Sequence, residues 1–218
     1  DVRPLAGFWT RLIIVLILFT ALFGYIAYKL YTRRLKHPRL VQRAMDRLIP
    51  DLASRNTARA DVVIEAIIEK TEAKVQVFQD VEPRLKPDAV LATNTSSIAL
   101  EHLNRNLADP GRLVGIHFFN PVAKMQLVEI VHAENTGEIW IQRAAAFCRR
   151  IGRLPLKVKS SPGFLVNRIL TPYLMEAMQL HDEGVAPDRI DRVAVDFGMP
   201  MGPVELADAV GLDICLSV

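Results

Sequence analysis

Between Asp61 and Lys159 short β-branched runs alternate with stretches of helical periodicity, and no other feature of the sequence constrains the fold as much. A helix between two strands carries the chain back across the sheet, so successive strands lie parallel and are covered on both faces. Five strands are predicted: Asp61–Ile67 (DVVIEAI), Ala89–Thr95 (AVLATNT), Leu113–Phe119 (LVGIHFF), Leu127–His132 (LVEIVH) and Leu154–Lys159. Thr71–Leu85 (with Thr71 as its cap), Ile98–Leu107 and Glu138–Ile151 are predicted helices, the last ended by Gly152. Arg34–Leu52 also reads as a helix, stopped by Pro50. The rhythm changes at Ser160-Ser161-Pro162-Gly163. Beyond it Phe164–Glu183, Asp188–Phe197 and Val204–Ala209 read as helices punctuated by glycine and proline. The expectation is an α/β protein: a mostly parallel sheet over residues 34–160, then part of an all-helical domain over 161–218.

Residues 1–33 fall outside this rhythm. Leu12–Tyr28 is a run of 17 residues without Lys, Arg, His, Asp or Glu. Arg11 precedes it, and Lys29, Arg33, Arg34, Lys36, Arg39 and Arg43 follow it. A membrane helix needs about 17–25 apolar residues, and a cationic flank of this kind keeps the following body on the cytoplasmic side. A hydrophobic first strand and helix of a soluble α/β domain has the same composition. Both readings stand on sequence alone, so contact with a membrane through residues 12–28 is one expectation and a buried element is the other.

The charge distribution excludes one class of partner. The chain carries 27 Lys and Arg against 24 Asp and Glu, a net of +3. Residues 1–45 hold a net of +7 and the remaining residues a net of −4. Basicity belongs to the N-terminal segment, and no basic and aromatic residues interleave elsewhere to track a phosphate backbone, so nucleic acid is not a predicted partner. Cys148 and Cys215 supply neither a disulfide framework nor a zinc cluster. No metal site is predicted, and a reducing, cytoplasmic setting is the simplest.

Polar residues at the carboxyl ends of strands mark where an open α/β sheet binds its ligand. Asn94-Thr95-Ser96-Ser97 follows the second predicted strand, and His117-Phe118-Phe119-Asn120-Pro121 ends the third. Glu129 lies in the next strand, and Asn167 sits early in the first helix after the boundary. His117 lies within an apolar run, where a charged imidazolium is costly without a partner. Glu129 is placed to accept from one ring nitrogen and leave the other free as a base. Ser96 and Asn167 are candidates to hydrogen-bond a substrate oxygen. Singly, each residue has a structural explanation as a core histidine, a helix cap or a turn residue. Spacing alone leaves the reaction open.

The text ADVVIEAIIE, LATNTSSI, GIHFFNPV, LVEIV, SPGFLVNRIL, PYLMEA and GMPMGPVELADAVGLDICL resembles the 3-hydroxyacyl-CoA dehydrogenase family. The resemblance spans Arg34–Val218 and is strongest to the dehydrogenase part of the α-subunit of bacterial fatty-acid oxidation complexes. It implies an incomplete Rossmann-like sheet, an acyl-CoA substrate, NAD as hydride acceptor, and oxidation of an (S)-3-hydroxyacyl-CoA to the 3-ketoacyl-CoA. His117 then corresponds to the catalytic base, Glu129 to its orienting carboxylate, and Ser96 and Asn167 to substrate-binding residues. Glu69, Lys74, Ser96 and Asn120 correspond to positions that contact NAD. The implied partners are a second copy of the chain or the other subunits of the oxidation complex.

The sequence also departs from that family. It contains no GxGxxG turn of the kind that cradles a pyrophosphate at a helix N-terminus. If VLILFTALFGYIA is aligned on its closing GxIA, Leu18, Thr20 and Phe23 occupy the glycine positions. The family's helical domain also continues beyond the point matched by Val218. Three expectations follow: an NAD-linked enzyme, impaired or intact; a non-catalytic, membrane-tethered remnant of the same fold; or an N-terminal segment foreign to the body, joined near Tyr31.

Overall fold

The computed structural model describes residues 38–51 and 55–210. The chain divides into two compact units, residues 1–53 and 54–218. In the first, helix α1 covers Pro38–Met45, shorter than the 34–52 helix expected from periodicity. Pro38 sits in its first turn, where the missing N–H would have had no partner. The apolar run 12–28 lies outside the described residues. Among those described, no helix is long and apolar enough to cross a membrane.

The second unit contains one five-stranded sheet in the order β1-β2-β3-β4-β5. Its strands are β1 (Val62–Glu65), β2 (Val90–Thr93), β3 (Leu113–Phe118), β4 (Leu127–His132) and β5 (Leu154–Lys159). Pairing is parallel from β1 to β3, antiparallel between β3 and β4, and parallel again between β4 and β5. The sheet is therefore mostly parallel, as expected. Its one antiparallel pair falls where the connection after Phe118 is too short to hold a crossover helix.

The helices of this unit are α2 (Thr71–Val81), α3 (Leu100–Asn104), α4 (Glu138–Arg150), α5 (Val166–Asp182), α6 (Pro187–Phe197) and α7 (Pro203–Val210). Two local expectations fail. Thr71 does not cap α2: it is the first helical residue, and the cap position is Lys70, with no side-chain hydrogen bond. Asn94–Ser97 does not open a helix either, because α3 starts only at Leu100 with Ala99 at the cap position. Donors of the 94–97 segment go to a tertiary partner, Glu69, instead.

Alternation along the strands sorts the core into two layers. Val90, Ala92, Val114, Ile116, Val128 and Ile130 pack on one face with Ile141, Ala144 and Cys148 of α4. Leu91, Leu113 and Val131 pack on the other, with Phe78 and Val81 of α2, Leu100 and Leu103 of α3, and Phe164. By the two-residue period of a strand, Glu65, Thr93, Gly115, His117 and Glu129 belong to this second face. They form a polar row at the carboxyl end of the parallel strands, in the register Glu65 opposite Thr93, Thr93 opposite Gly115, and His117 opposite Glu129.

Gly115 is required by close approach. A Cβ built there stands 2.7 Å from Val131 Cβ on the antiparallel neighbour. Gly115→Ala is expected to destabilise the unit by about 1–3 kcal/mol through overpacking, read as a lower urea midpoint, and Val131→Ala in the same chain recovers part of the loss. An unchanged midpoint for Gly115→Ala contradicts this account of the β3–β4 pairing.

Candidate active site

The antiparallel register brings His117 and Glu129 face to face. His117 Nδ1 lies 2.7 Å from Glu129 Oε2. Glu129 is fully buried and His117 is 5% exposed. A carboxylate can only accept, so Nδ1 donates its proton to Glu129 and the lone pair is left on Nε2. The imidazole is flanked by Phe119, with ring centroids 4.6 Å apart, and by Phe164 at 5.6 Å in an edge-on arrangement.

The second Glu129 oxygen is satisfied from the helical part of the unit. Oε1 accepts the backbone N–H groups of Leu165 at 3.0 Å and Val166 at 2.9 Å. Val166 begins α5, so the carboxylate sits at a helix N-terminus, where partial positive charge favours an anion. The chain reaches that position through two left-handed residues, Gly163 (φ 70) and Phe164 (φ 49). A positive φ is unusual for a bulky residue, and burial of the Phe164 ring in the core holds it there. Burial pushes the Glu129 carboxyl up. The His117 hydrogen bond, the Val166 N–H, the imidazole charge and the Leu165 N–H outweigh it and hold the group below its ordinary value.

The loop after β2 is organised by a different carboxylate. Glu69 Oε1 accepts the N–H groups of Ser96 at 3.0 Å and Ser97 at 3.3 Å, together with the hydroxyls of Thr95 and Ser97. Its other oxygen pairs with Lys74 Nζ at 3.2 Å. Burial raises the Glu69 carboxyl, but the Thr95 hydroxyl, Lys74 and the Ser96 N–H together bring it below the ordinary value. Asn94 Oδ1 accepts the Phe118 N–H at 3.0 Å, tying the loop to β3 beside His117. Asn167 Nδ2 donates to the Ser96 carbonyl at 3.3 Å.

Six of the seven residues singled out from the sequence are therefore joined in two linked groups, His117 with Glu129 and Glu69 with Lys74, Ser96 and Asn167. Asn120 stands apart, exposed in the loop after β3. Sequence reasoning singled out the Asn94–Ser97 segment as a whole but overlooked Glu65, Thr93 and Phe164. An acid closing the β-branched run VVIE, followed by a lysine in the next helix, is the signal that points to Glu65. Nothing local marks Phe164.

A mixed sheet bearing a buried histidine–carboxylate pair beside a polar loop at its strand ends defines the class: an α/β protein with a histidine whose free ring nitrogen can accept a proton. Residues 25–161 match the family described as 3-hydroxyacyl-CoA dehydrogenase, NAD binding domain. Residues 163–218 match 3-hydroxyacyl-CoA dehydrogenase, C-terminal domain. The chain belongs to the 3-hydroxyacyl-CoA dehydrogenase family. The match begins ahead of Tyr31, so family-like sequence reaches further back than the expected join.

Among its relatives is the fatty acid oxidation complex subunit alpha of Ectopseudomonas oleovorans, 41% identical over 176 residues that cover 81% of this chain and 25% of the relative. The chain thus spans about a quarter of the length of the curated relatives it matches. Two solved structures are similar. The 3-hydroxybutyryl-CoA dehydrogenase of Escherichia coli K12 is 36% identical with a TM-score of 0.80, over 88% of this chain and 41% of that one. The (S)-3-hydroxybutyryl-CoA dehydrogenase of Ralstonia eutropha is 33% identical with a TM-score of 0.79, over 85% of this chain and 67% of that one.

Because folding lowers the Glu129 pKa, its stabilisation is complete above the unfolded carboxylate value of about 4.3 and is lost as pH falls through the folded value. Glu129→Gln is expected to cost about 1–3 kcal/mol at neutral pH through weaker hydrogen bonds. In urea titrations the gap between variant and parent narrows below about pH 4. A gap that does not change with pH contradicts an ionised Glu129 in the folded protein.

Proposed function

We propose that this chain carries out the NAD-linked oxidation of an (S)-3-hydroxyacyl-CoA to the 3-ketoacyl-CoA in fatty-acid oxidation. The observation that carries the proposal is the 2.7 Å contact between His117 and a fully buried Glu129. In this reading His117 Nε2 takes the proton of the 3-hydroxyl as that carbon is oxidised. Glu129 keeps the imidazole in the required tautomer and stabilises the imidazolium that forms. Ser96 and Asn167, tied to each other through the Ser96 carbonyl, hold the substrate oxygen. Phe119 and Phe164 shield the imidazole from water.

The cofactor supplies one thing, a hydride acceptor. The donor set of Glu69, Lys74, Ser96 and Asn120 suits its nicotinamide and ribose end. A carboxylate accepts from ribose hydroxyls, and hydroxyl and amide groups donate to them and to the carboxamide; Lys74, 1% exposed with its ammonium on Glu65, Glu69 and the Ile67 carbonyl, takes part only by holding Glu69. The Glu69 side chain is 36% exposed although its Lys74 partner is buried, so one edge of the pair is open to solvent and accessible to a ligand. Residues 34–160 then form the NAD-binding domain, an incomplete Rossmann-like sheet, and residues 161–218 part of the helical domain. A second copy of the chain or the subunits of a fatty-acid oxidation complex are the natural partners, in a cytoplasmic setting. The retained pair and its supporting loop favour this enzyme over a non-catalytic, membrane-tethered remnant.

The test is reduction of acetoacetyl-CoA by NADH, followed through loss of the reduced cofactor. Turnover is expected, and His117→Ala lowers kcat by roughly 10³-fold or more. Glu129→Gln also lowers it, by up to about 10⁴-fold, because its amide presents an N–H to Nδ1 and moves the ring proton onto Nε2. A folded protein that neither turns over nor binds acetoacetyl-CoA contradicts the proposal.

A further inference from the structure

The polar row on the second face of the sheet does not end at the histidine. Its far member is Glu65, the last residue of β1, which is 4% exposed. Every oxygen of this side chain is engaged. Oε1 accepts the Ile67 N–H at 2.6 Å and Lys74 Nζ at 2.8 Å, and Oε2 accepts the Thr93 hydroxyl at 2.7 Å. Lys74 is 1% exposed and Thr93 fully buried. An ammonium group taken out of water in this way is tolerated only with carboxylate partners in good geometry.

Two chains of contact run from Glu65 to the loop that carries Ser96. One passes through Lys74, which pairs with Glu69 Oε2 at 3.2 Å, and Glu69 in turn gathers the N–H groups of Ser96 and Ser97. The other passes through Thr93, whose hydroxyl oxygen also accepts the Thr95 N–H at 3.2 Å. The Glu65 backbone adds a third tie, its carbonyl accepting the Asn94 N–H at 2.8 Å. The loop from Asn94 to Ser97 is therefore held at both ends by groups that Glu65 itself holds.

We infer that Glu65 is a positioning residue: acting through Lys74 and Thr93, it sets the conformation of the 94–97 loop and with it the placing of Ser96 and Asn167. The functional consequence rests on the reaction proposed above, whereas the structural claim does not. A residue that served only to stabilise the core would, when altered, weaken the whole unit. A positioning residue loosens the loop and leaves the His117–Glu129 pair intact.

Glu65→Gln separates the two, since it keeps the shape and removes the charge. Amide hydrogen exchange is expected to speed up at Ser96 and Ser97 by about tenfold, the equivalent of weakening one charge-assisted hydrogen bond. The Leu165 and Val166 amides, which bond to Glu129, keep their protection. In the acetoacetyl-CoA assay the variant raises the KM for NADH by a similar factor while kcat changes by less than about threefold, because the base is untouched. Equal loss of protection at both pairs of amides, or no loss at either, overturns the inference. If the parent protein does not turn over, the reaction proposal fails, and the exchange measurement still decides the role of Glu65. If Glu65→Gln does not fold, Thr93→Val decides it: faster exchange confined to the 94–97 loop supports the inference, and unchanged exchange overturns it.

Discussion

A carboxylate with none of its surface in water must find every partner inside the protein, and Glu129 is such a group. Its three hydrogen bonds come from two places: the imidazole on β3, and the consecutive N–H groups of Leu165 and Val166 where the helical part of the unit begins. Losing any one leaves a buried charge short of a donor, which costs more than the bond itself contributes. That requirement explains several otherwise separate features. It fixes the β3–β4 register, which Gly115 permits by its lack of a side chain. Phe164, in a left-handed conformation, immediately precedes the two amides that turn toward one oxygen. The start of α5 is thereby locked to the sheet beside His117.

The same face of the sheet carries a second carboxylate system, Glu65 with Lys74 and Glu69, that shapes the loop opposite the histidine. The two systems meet at Asn94, which accepts from Phe118, and at Asn167, which donates to the Ser96 carbonyl. One holds His117 and the other holds the loop beside it. A dinucleotide site has a reacting end and a pyrophosphate end, and these are built from different segments. The polar row gathers residues suited to the reacting end. The sequence offers no GxGxxG for the pyrophosphate, and the positions that align with it, Leu18, Thr20 and Phe23, lie outside the described residues.

Much of this was readable in the sequence because strands covered on both faces have a strong signature. β4 and β5 fall on the expected residues, and β1, β2 and β3 fall within theirs. His117, Glu129, Ser96 and Asn167 stood out as polar groups at the ends of apolar runs. Local rules failed where tertiary contacts overrode them. Thr71 and Asn94–Ser97 look like helix caps, yet Thr71 makes no capping bond and the Glu69 carboxylate takes the donors of Ser96 and Ser97. Glu65 was passed over because a single acid in a short apolar strand resembles an exposed edge position. Only pairing with β2 and packing of α2 reveal that it lies inside. Phe164 and the amides that follow it pack against residues far away in sequence, such as Glu129 for the Leu165 amide, and no local pattern encodes that.

The central claim is that Glu129 fixes His117 with its proton on Nδ1 and a free lone pair on Nε2. Nitrogen NMR of the ¹⁵N-histidine-labelled protein, at a pH where the imidazole is neutral, tests it directly. The account predicts a protonated, pyrrole-type signal for His117 Nδ1 and an unprotonated, pyridine-type signal for Nε2. The opposite assignment, or rapid exchange between the two tautomers, would contradict it.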